Sequence, residues 1–274
     1  MLNWYAIHVS SLSKHSTPLI PDQRQNEIVE LLRASMILSV RELTETMNVS
    51  HMTVRRDIAA LEEAGLVESV HGGVRLLGSK GQETPVERAP RTQLETPAKR
   101  AIAAAAASIV RPDSTLFLDA GTTCEMIVDR LVGITGLTVV TNDFLSAMRL
   151  MEENISAIHT GGCVDSNSGS SSGPLAAVTL GTLSIDTAFL SAGAWDIEHG
   201  LTTSETDKLT LKRAARQAAE RTILVADSSK FGTHAKFRAM DLDVLDLIIT
   251  DERLAEPERT RLDESGARVE YAPL

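Results

Sequence analysis

Five short segments of the chain carry groups fit to hold an anion. Asp119-Ala-Gly-Thr-Thr-Cys124 combines a carboxylate, a glycine and two hydroxyls with the start of a helical stretch. Backbone N–H groups at a helix start, with hydroxyls beside them, suit phosphate. Thr141-Asn142, Gly161-Gly162, Gly193 and Asp227-Ser-Ser-Lys230 are further polar or glycine-rich segments, and Lys230 adds a mobile positive charge. A second set suits DNA: Ser39, Ser50, His51, Met52, Thr53, Arg55 and Arg56, with His71 and Arg75 further on. Arginine grips guanine O6 and N7 with two hydrogen bonds, and other contacts go to phosphate.

The second set lies largely on the stretch from Ser39 to Gly65, which reads as two short helices joined by a tight turn. Val40, Leu43 and Met47 recur at helical spacing and form one apolar stripe. Asn48 tolerates left-handed backbone, and Val49 fits the angle between the helices. Ser50 is a good N-cap for the second helix. Val54, Ile58 and Leu61 share a face of that helix and should pack on the first. His51, Met52, Thr53, Arg55 and Arg56 then lie near the helix start or point outward, where a recognition helix meets base edges. Gly65 stops the helix. From Leu66 to Leu76 the chain reads as two strands around a Gly72-Gly73 turn, a wing from which His71 or Arg75 reaches the DNA backbone or minor groove. A helix from about Asp22 to Ala34 brings Ile28, Leu31 and Leu32 to the same small core. The layout is a winged helix-turn-helix, a form that also occurs in protein-binding domains. Between Asp22 and Lys80 seven basic residues face nine acidic ones, a net of −2. DNA affinity must therefore come from positive charge gathered on one face.

The first set needs a different scaffold. From Lys99 onward, short apolar runs alternate with helical segments. Strands are expected at 115–118, 137–141, 156–160, 187–191, 222–226 and 245–250. This alternation predicts an α/β domain with a mainly parallel sheet and helices on both faces. Ligands of such sheets bind beyond the carboxyl ends of the strands, which is where the five segments fall. One Gly or Thr alone merely makes a turn; five such loops at equivalent strand ends point to a pocket. The run Ala101–Ala107 should be a packed helix. Ser168-Gly-Ser-Ser-Ser-Gly173 reads as a flexible loop. Trp195 is placed either to stack on a ligand or to pack in the core. The Cys124 thiol, beside a helix N-terminus, is open to acidification.

At 274 residues the chain has room for two domains. A net charge of −10 and 43% hydrophobic content fit a soluble cytoplasmic protein and disfavour non-specific binding to membranes or nucleic acid. Cys124 and Cys163 make neither a disulfide framework nor a metal site. No apolar run reaches the roughly 20 residues of a membrane helix, and the first residues do not read as a signal peptide. The expected division is a flexible extension over 1–21, a winged helix-turn-helix over 22–77, a linker over 78–97 rich in Gly and Pro, and the α/β domain over 98–274.

The string Val-Ser-His-Met-Thr-Val-Arg-Arg-Asp-Ile-Ala-Ala-Leu-Glu-Glu-Ala-Gly-Leu-Val-Glu-Ser-Val-His-Gly-Gly, residues 49–73, resembles the signature of the DeoR family of bacterial transcriptional regulators. Leu-Asp-Ala-Gly-Thr-Thr, Val-Val-Thr-Asn, Gly-Gly and Ala-Asp-Ser-Ser-Lys-Phe-Gly resemble the successive motifs of that family's effector domain. Together the two likenesses span about Asp22 to Asp251. The resemblance implies a winged helix-turn-helix followed by a sugar-phosphate-sensing domain, similar in fold to ribose-5-phosphate isomerase. It implies that Gly121, Thr122, Thr123 and Lys230 hold the phosphate while Asp119, Asn142, Gly162 and Asp227 line the rest of the site. Cys124 stands where members often carry a small hydroxyl residue. The loop between Gly162 and Gly173 and the segment Ala194-Trp195-Asp196 are placed to select the sugar.

The expected function is that of a repressor of a sugar or sugar-acid catabolism operon. It would bind double-stranded operator DNA as a dimer or tetramer and leave it when a phosphorylated sugar or sugar acid binds. The contrasting expectation is an enzyme with isomerase-like chemistry, with Asp119 or Asp227 as general base and Lys230 as its electrostatic partner. The chain shows no further catalytic signature. No residue is assigned to catalysis, and no cofactor or metal is expected.

Overall fold

The computed structural model describes residues 21–35, 37–63, 67–70, 73–76 and 95–274. The expected extension falls outside them except for Pro21, as does His71. The chain divides into two units, residues 1–80 and 81–274.

In the first unit the apolar spacing produces helices α1 (Pro21–Ser35), α2 (Val40–Met47) and α3 (His51–Glu63). Strands β1 (Ile37–Ser39), β2 (Val67–Val70) and β3 (Gly73–Leu76) form an antiparallel sheet in the order β1-β3-β2. The wing thus has a third strand that the sequence reading did not anticipate. Ile28, Leu32, Leu43, Val54, Ile58, Leu61, Val67 and Val74 are buried together, while Leu31 packs at the margin. Gly73 needs its glycine, since a Cβ there would lie 2.5 Å from the Leu38 carbonyl oxygen.

The second unit opens with α4 (Thr96–Ser108), in which Pro97 sits in the first turn. The linker reading therefore ran too far: proline lacks an N–H that the first turn leaves unpaired in any case. Then follow β4 (Thr115–Leu118), α5 (Thr122–Leu131), β5 (Thr138–Thr141), α6 (Phe144–Glu152) and β6 (Ser156–His159). After a hairpin of β7 (Cys163–Asp165) and β8 (Ser170–Ser172) come α7 (Pro174–Gly181), β9 (Ile185–Ser191), β10 (Ala194–Asp196) and β11 (Gly200–Thr203). The unit closes with α8 (Thr206–Ala218), β12 (Ala219–Val225), β13 (Phe237–Met240), β14 (Leu247–Asp251), α9 (Glu256–Glu264) and β15 (Val269–Ala272). The six expected strands all form, and β15 adds a seventh.

All pairings in the main sheet are parallel, in the order β15-β14-β12-β9-β4-β5-β6. Its strands alternate between two cores, as a period of two requires. Leu116, Leu118, Phe189, Ile223, Val225 and Ile249 face α4, α5 and α6. Phe117, Ala188, Leu190, Leu224 and Ile248 face the other way, toward α7, α8 and α9. From β4 the chain steps outward to β5 and β6; from β9 it steps the opposite way to β12, β14 and β15. The order therefore reverses between β4 and β9. Connections leaving these neighbours diverge and open a crevice at their carboxyl ends. A small sheet, β10-β11-β13, stands beside this crevice.

Candidate functional site

The DNA-facing residues begin with two helix caps. Ser39 Oγ accepts the Glu42 N–H at 3.1 Å, and a Glu42 carboxylate oxygen accepts the Ser39 N–H at 2.7 Å. Such a capping box contributes about 1 kcal/mol. Asn48 closes α2 in left-handed backbone, φ 51°. Ser50 Oγ accepts the Thr53 N–H at 3.2 Å and lies 2.8 Å from the Thr53 hydroxyl. Ser39, Ser50 and Thr53 thus set where the helices start. His51, Met52, Arg55 and Arg56 stand exposed on the first two turns of α3, and Met52 is 78% exposed. Neither Arg55 nor Arg56 has an ion-pair partner among the described residues. On the opposite face of α3, Asp57 is buried and takes a two-pronged ion pair from Arg24, at 2.5 and 2.9 Å. That pair takes one charge of each sign from the surface and leaves the net of −2 unchanged, so any positive field at α3 comes from the placement of Arg55 and Arg56. Arg75 lies on β3, and His71 is outside the described residues.

The crevice of the second unit is lined by groups from several elements. Asp119 follows β4 and is buried. Its carboxylate accepts the Ser191 N–H at 3.0 Å, the Ser191 hydroxyl at 2.9 Å and the Ala120 N–H at 2.9 Å. It also pairs with the buried Lys212 of α8, whose Nζ donates as well to the Ser191 carbonyl at 2.6 Å. Asn142 ties a second strand end to the first. Its Oδ1 accepts the Ala120 N–H at 2.8 Å, and its Nδ2 donates to the Ser171 carbonyl at 2.8 Å. Gly121 precedes α5 with extended backbone. A Cβ there would lie 2.8 Å from the Ser191 Cβ, so close approach of the two strand ends requires glycine. No side chain caps α5, and its first-turn N–H groups have no partner within the helix. They carry the positive end of the helix dipole.

These residues enclose a cavity of about 70 Å³. Asp119, Gly121, Thr122, Asn142 and Gly193, all expected from the sequence, line it. Ser168, Ser170, Ser191, Thr202, Thr203 and Ser204 add hydroxyls, and Lys208 and Lys212 add the cations. Lys208 is partly exposed and is held by Glu205 at 2.6 Å and Asp165 at 3.5 Å.

Other expected residues sit elsewhere. Thr141 is fully buried, its hydroxyl donating to the Leu118 carbonyl at 2.8 Å and accepting the Asp143 N–H at 3.1 Å. Thr123 is buried in α5 and does not reach the cavity wall. Gly161 and Gly162 take positive φ in the turn between β6 and β7, and a Cβ on Gly162 would lie 2.5 Å from the Ser172 carbonyl oxygen of β8. Asp227 and Lys230 follow β12, one strand beyond the crevice. The Asp227 carboxylate takes the Ser229 hydroxyl, while Ser228 turns toward Asp251 of β14, 2.7 Å from its N–H. The grouping expected around Lys230 is thus not the one the structure makes; the cavity's cations stand on α8. Lys208 and Lys212, four apart on one helix face, were the available signal.

Two further readings are corrected, and an open alternative at Trp195 is decided. The Ser-rich segment is not a loose loop: Ser170, Ser171 and Ser172 are buried in β8, and the Ser171 N–H donates to the Asn142 carbonyl at 2.8 Å. Cys124 is wholly buried, and burial followed by the nearby Asp119 carboxylate pushes its thiol well up, opposite to acidification. Trp195 is fully buried and packs edge-on against Phe231 at 4.8 Å, so it belongs to the core. The chain also assembles a cluster no motif disclosed, Asp196 with His199 and His234. Of the two bases the isomerase-like alternative offered, Asp119 is paired with Lys212, not with Lys230, and the Asp227 carboxylate takes the Ser229 hydroxyl in the turn that carries Lys230; neither Asp227 nor Lys230 lines the cavity.

An exposed recognition-type helix in one unit and a polar, cation-bearing cavity at a switch point in the other define a DNA-binding regulator. Residues 24–80 match the DeoR-like helix-turn-helix domain and residues 94–252 the DeoR C terminal sensor domain. The chain belongs to the DeoR family of transcriptional regulators. It is 43% identical to the uncharacterized HTH-type transcriptional regulator YgbI of Escherichia coli (strain K12), over 87% of this chain and 92% of that one. It is 31% identical to a putative aga operon transcriptional repressor of Escherichia coli O157:H7, over 90% of this chain and 92% of that one. Among solved structures, ribose 5 phosphate isomerase A from Neisseria gonorrhoeae aligns at a TM-score of 0.37 and 17% identity, over 48% of this chain and 52% of that one. Among the described residues no helix is long and apolar enough to cross a membrane.

Proposed function

We propose that the protein represses a sugar or sugar-acid catabolism operon and leaves its operator when a phosphorylated metabolite enters the crevice between β4 and β9. The observation that supports this reading most is the uncapped start of α5, open to a cavity whose walls are hydroxyls and whose cation is Lys208. A phosphate takes the N–H groups and the lysine, and sugar hydroxyls exchange hydrogen bonds with Ser170, Ser191, Thr202 and Thr203. Lys212 is buried against Asp119, whereas Lys208 is partly exposed and meets the ligand's charge by turning from Glu205 and Asp165. A relative named as an operon repressor supports the sign of regulation.

Release from DNA requires that the metabolite bind two arrangements of a dimer or tetramer with different affinity. A coupling of about 1–3 kcal/mol is typical.

A thermal-shift screen of phosphorylated sugars and sugar acids, each beside its unphosphorylated parent, tests the reading. A ligand present at 100 times its Kd stabilises the folded state by about 2.7 kcal/mol. The expected hit needs its phosphate and loses most of its shift in Lys208→Ala. Equal shifts from the unphosphorylated parent would remove the phosphate from the proposal.

A further inference from the structure

The structure assigns Asp196, His199 and His234 as the ligands of a divalent transition-metal ion, a site separate from the crevice. Asp196 ends β10, His199 lies in the β10–β11 turn, and His234 comes from the loop before β13. His199 Nδ1 lies 2.9 Å from Asp196 Oδ2 and 3.1 Å from Oδ1. His234 Nδ1 lies 3.7 Å from the same Oδ2. Two donors on a tetrahedral zinc-like ion, with bonds of about 2.0–2.1 Å, stand about 3.3 Å apart. The observed separations bracket that value. At 3.7 Å the His234–Asp196 contact is too long for a hydrogen bond, and His234 makes no hydrogen bond among the described residues. A shared ion accounts for why its Nδ1 nonetheless faces the carboxylate.

The backbone holds the three ligands in register. Asp196 pairs with Gly200 across the hairpin. Trp195 bridges to Phe231, and the Gly232 N–H donates to the Trp195 carbonyl at 2.9 Å. The Ala235 N–H donates to Thr202 Oγ1 at 2.8 Å. These bonds fasten the loop bearing His234 to the hairpin bearing the other two. The two imidazoles stack at 3.9 Å with 23° between their planes, so binding requires the rings to turn out of the stack until both nitrogens face one ion. The Asp196 carboxylate also accepts the His199 N–H at 2.5 Å, which orients it.

Two imidazoles and one carboxylate select zinc, nickel, copper or cobalt over magnesium and calcium, which prefer all-oxygen shells. The side chains are 15–32% exposed, which leaves a fourth position for water or an added ligand. The site has a route to the crevice as well: the other end of the same hairpin carries Thr202 and Thr203 of the cavity wall.

Isothermal titration of Zn²⁺, and separately Mg²⁺, into the chelator-stripped, tag-free full chain decides the matter. The Cys163→Ser background removes the exposed thiol that would otherwise collect zinc. One Zn²⁺ per chain is expected at micromolar concentration or below, with no Mg²⁺ binding. His234→Gln and Asp196→Asn should each weaken Zn²⁺ at least tenfold while leaving the metal-free circular dichroism spectrum unchanged. If either variant fails to fold, His199→Gln carries the same test. Absence of saturable binding, or binding that survives these substitutions, overturns the assignment. Neither result touches the phosphate reading, since no group of the triad lines the crevice.

Discussion

At the scale of single residues, the crevice is organised by one buried ion pair. Asp119 and Lys212 are nearly sealed from solvent and share hydrogen bonds with both ends of Ser191. Removing one partner leaves the other charged and uncompensated, a loss of about 3–5 kcal/mol. Lys212→Met should therefore lower unfolding stability by that amount in urea titration, and Asp119→Asn with Lys212→Met should recover part of it. A single variant that loses less than about 1 kcal/mol would show that the pair is better solvated than the geometry indicates. The roles of Lys208 and Lys212 differ for the same reason. The second cation holds two strand ends together, while the first is partly exposed at the cavity wall beside Glu205 and Asp165.

At the scale of elements, α3 divides its labour by face. Val54, Ile58 and Leu61 pack inward, and Asp57 anchors the helix to α1 through Arg24. The outer face presents Met52, Arg55 and Arg56. Arg56→Ala should weaken operator binding by about 1–3 kcal/mol if the side chain reads a base, with ligand-induced thermal shifts unchanged. If it contacts phosphate instead, affinity should fall alike for operator and random DNA, with a salt slope shallower by about one. Fluorescence anisotropy at several salt concentrations separates these outcomes, and unchanged affinity in both excludes Arg56 from the interface. Within the sensor unit, α5 and β8 show how elements create a site that no single one contains. The helix supplies bare N–H groups, and the strand supplies hydroxyls only because its backbone is pinned to Asn142.

At the scale of the whole molecule, stability should depend on pH through His159, at the end of the edge strand β6. Its ring stacks on Phe144 at 4.5 Å, and its Nδ1 accepts the Gly161 N–H at 3.1 Å. The ring proton therefore sits on Nε2, which is buried with no partner among the described residues. Burial lowers the pKa of this imidazole below its ordinary value. The unfolded chain consequently binds more protons as pH falls through about 6.5, so stability declines on acidification and is fullest above that pH. Urea unfolding between pH 8 and pH 5 should show a shallower decline for His159→Gln than for the parent chain. Identical slopes would assign the acid sensitivity to other groups.

Much of this protein was legible in its sequence because much of it is local. The stripe of Val54, Ile58 and Leu61, the left-handed Asn48 and the Ser50 cap lie within one helix-turn-helix. The strand runs of the sensor unit alternate with a period of two that is visible in any short window. The loops after β4 and β5 could be identified as cavity-lining because polar residues ending apolar strands point to one edge of a parallel sheet. Tertiary structure decided the rest. Asp119 finds Lys212 across 93 residues, and Arg24 finds Asp57 across 33. Asp196 and His199 meet His234 through the pairing of Trp195 with Phe231 and the hydrogen bonds of Gly232 and Ala235 to the hairpin. Lys230 follows a strand as expected, yet β12 lies on the far side of β9 and its loop turns toward β14. Strand order sets which chain ends are neighbours, and order depends on long-range packing that local periodicity does not encode.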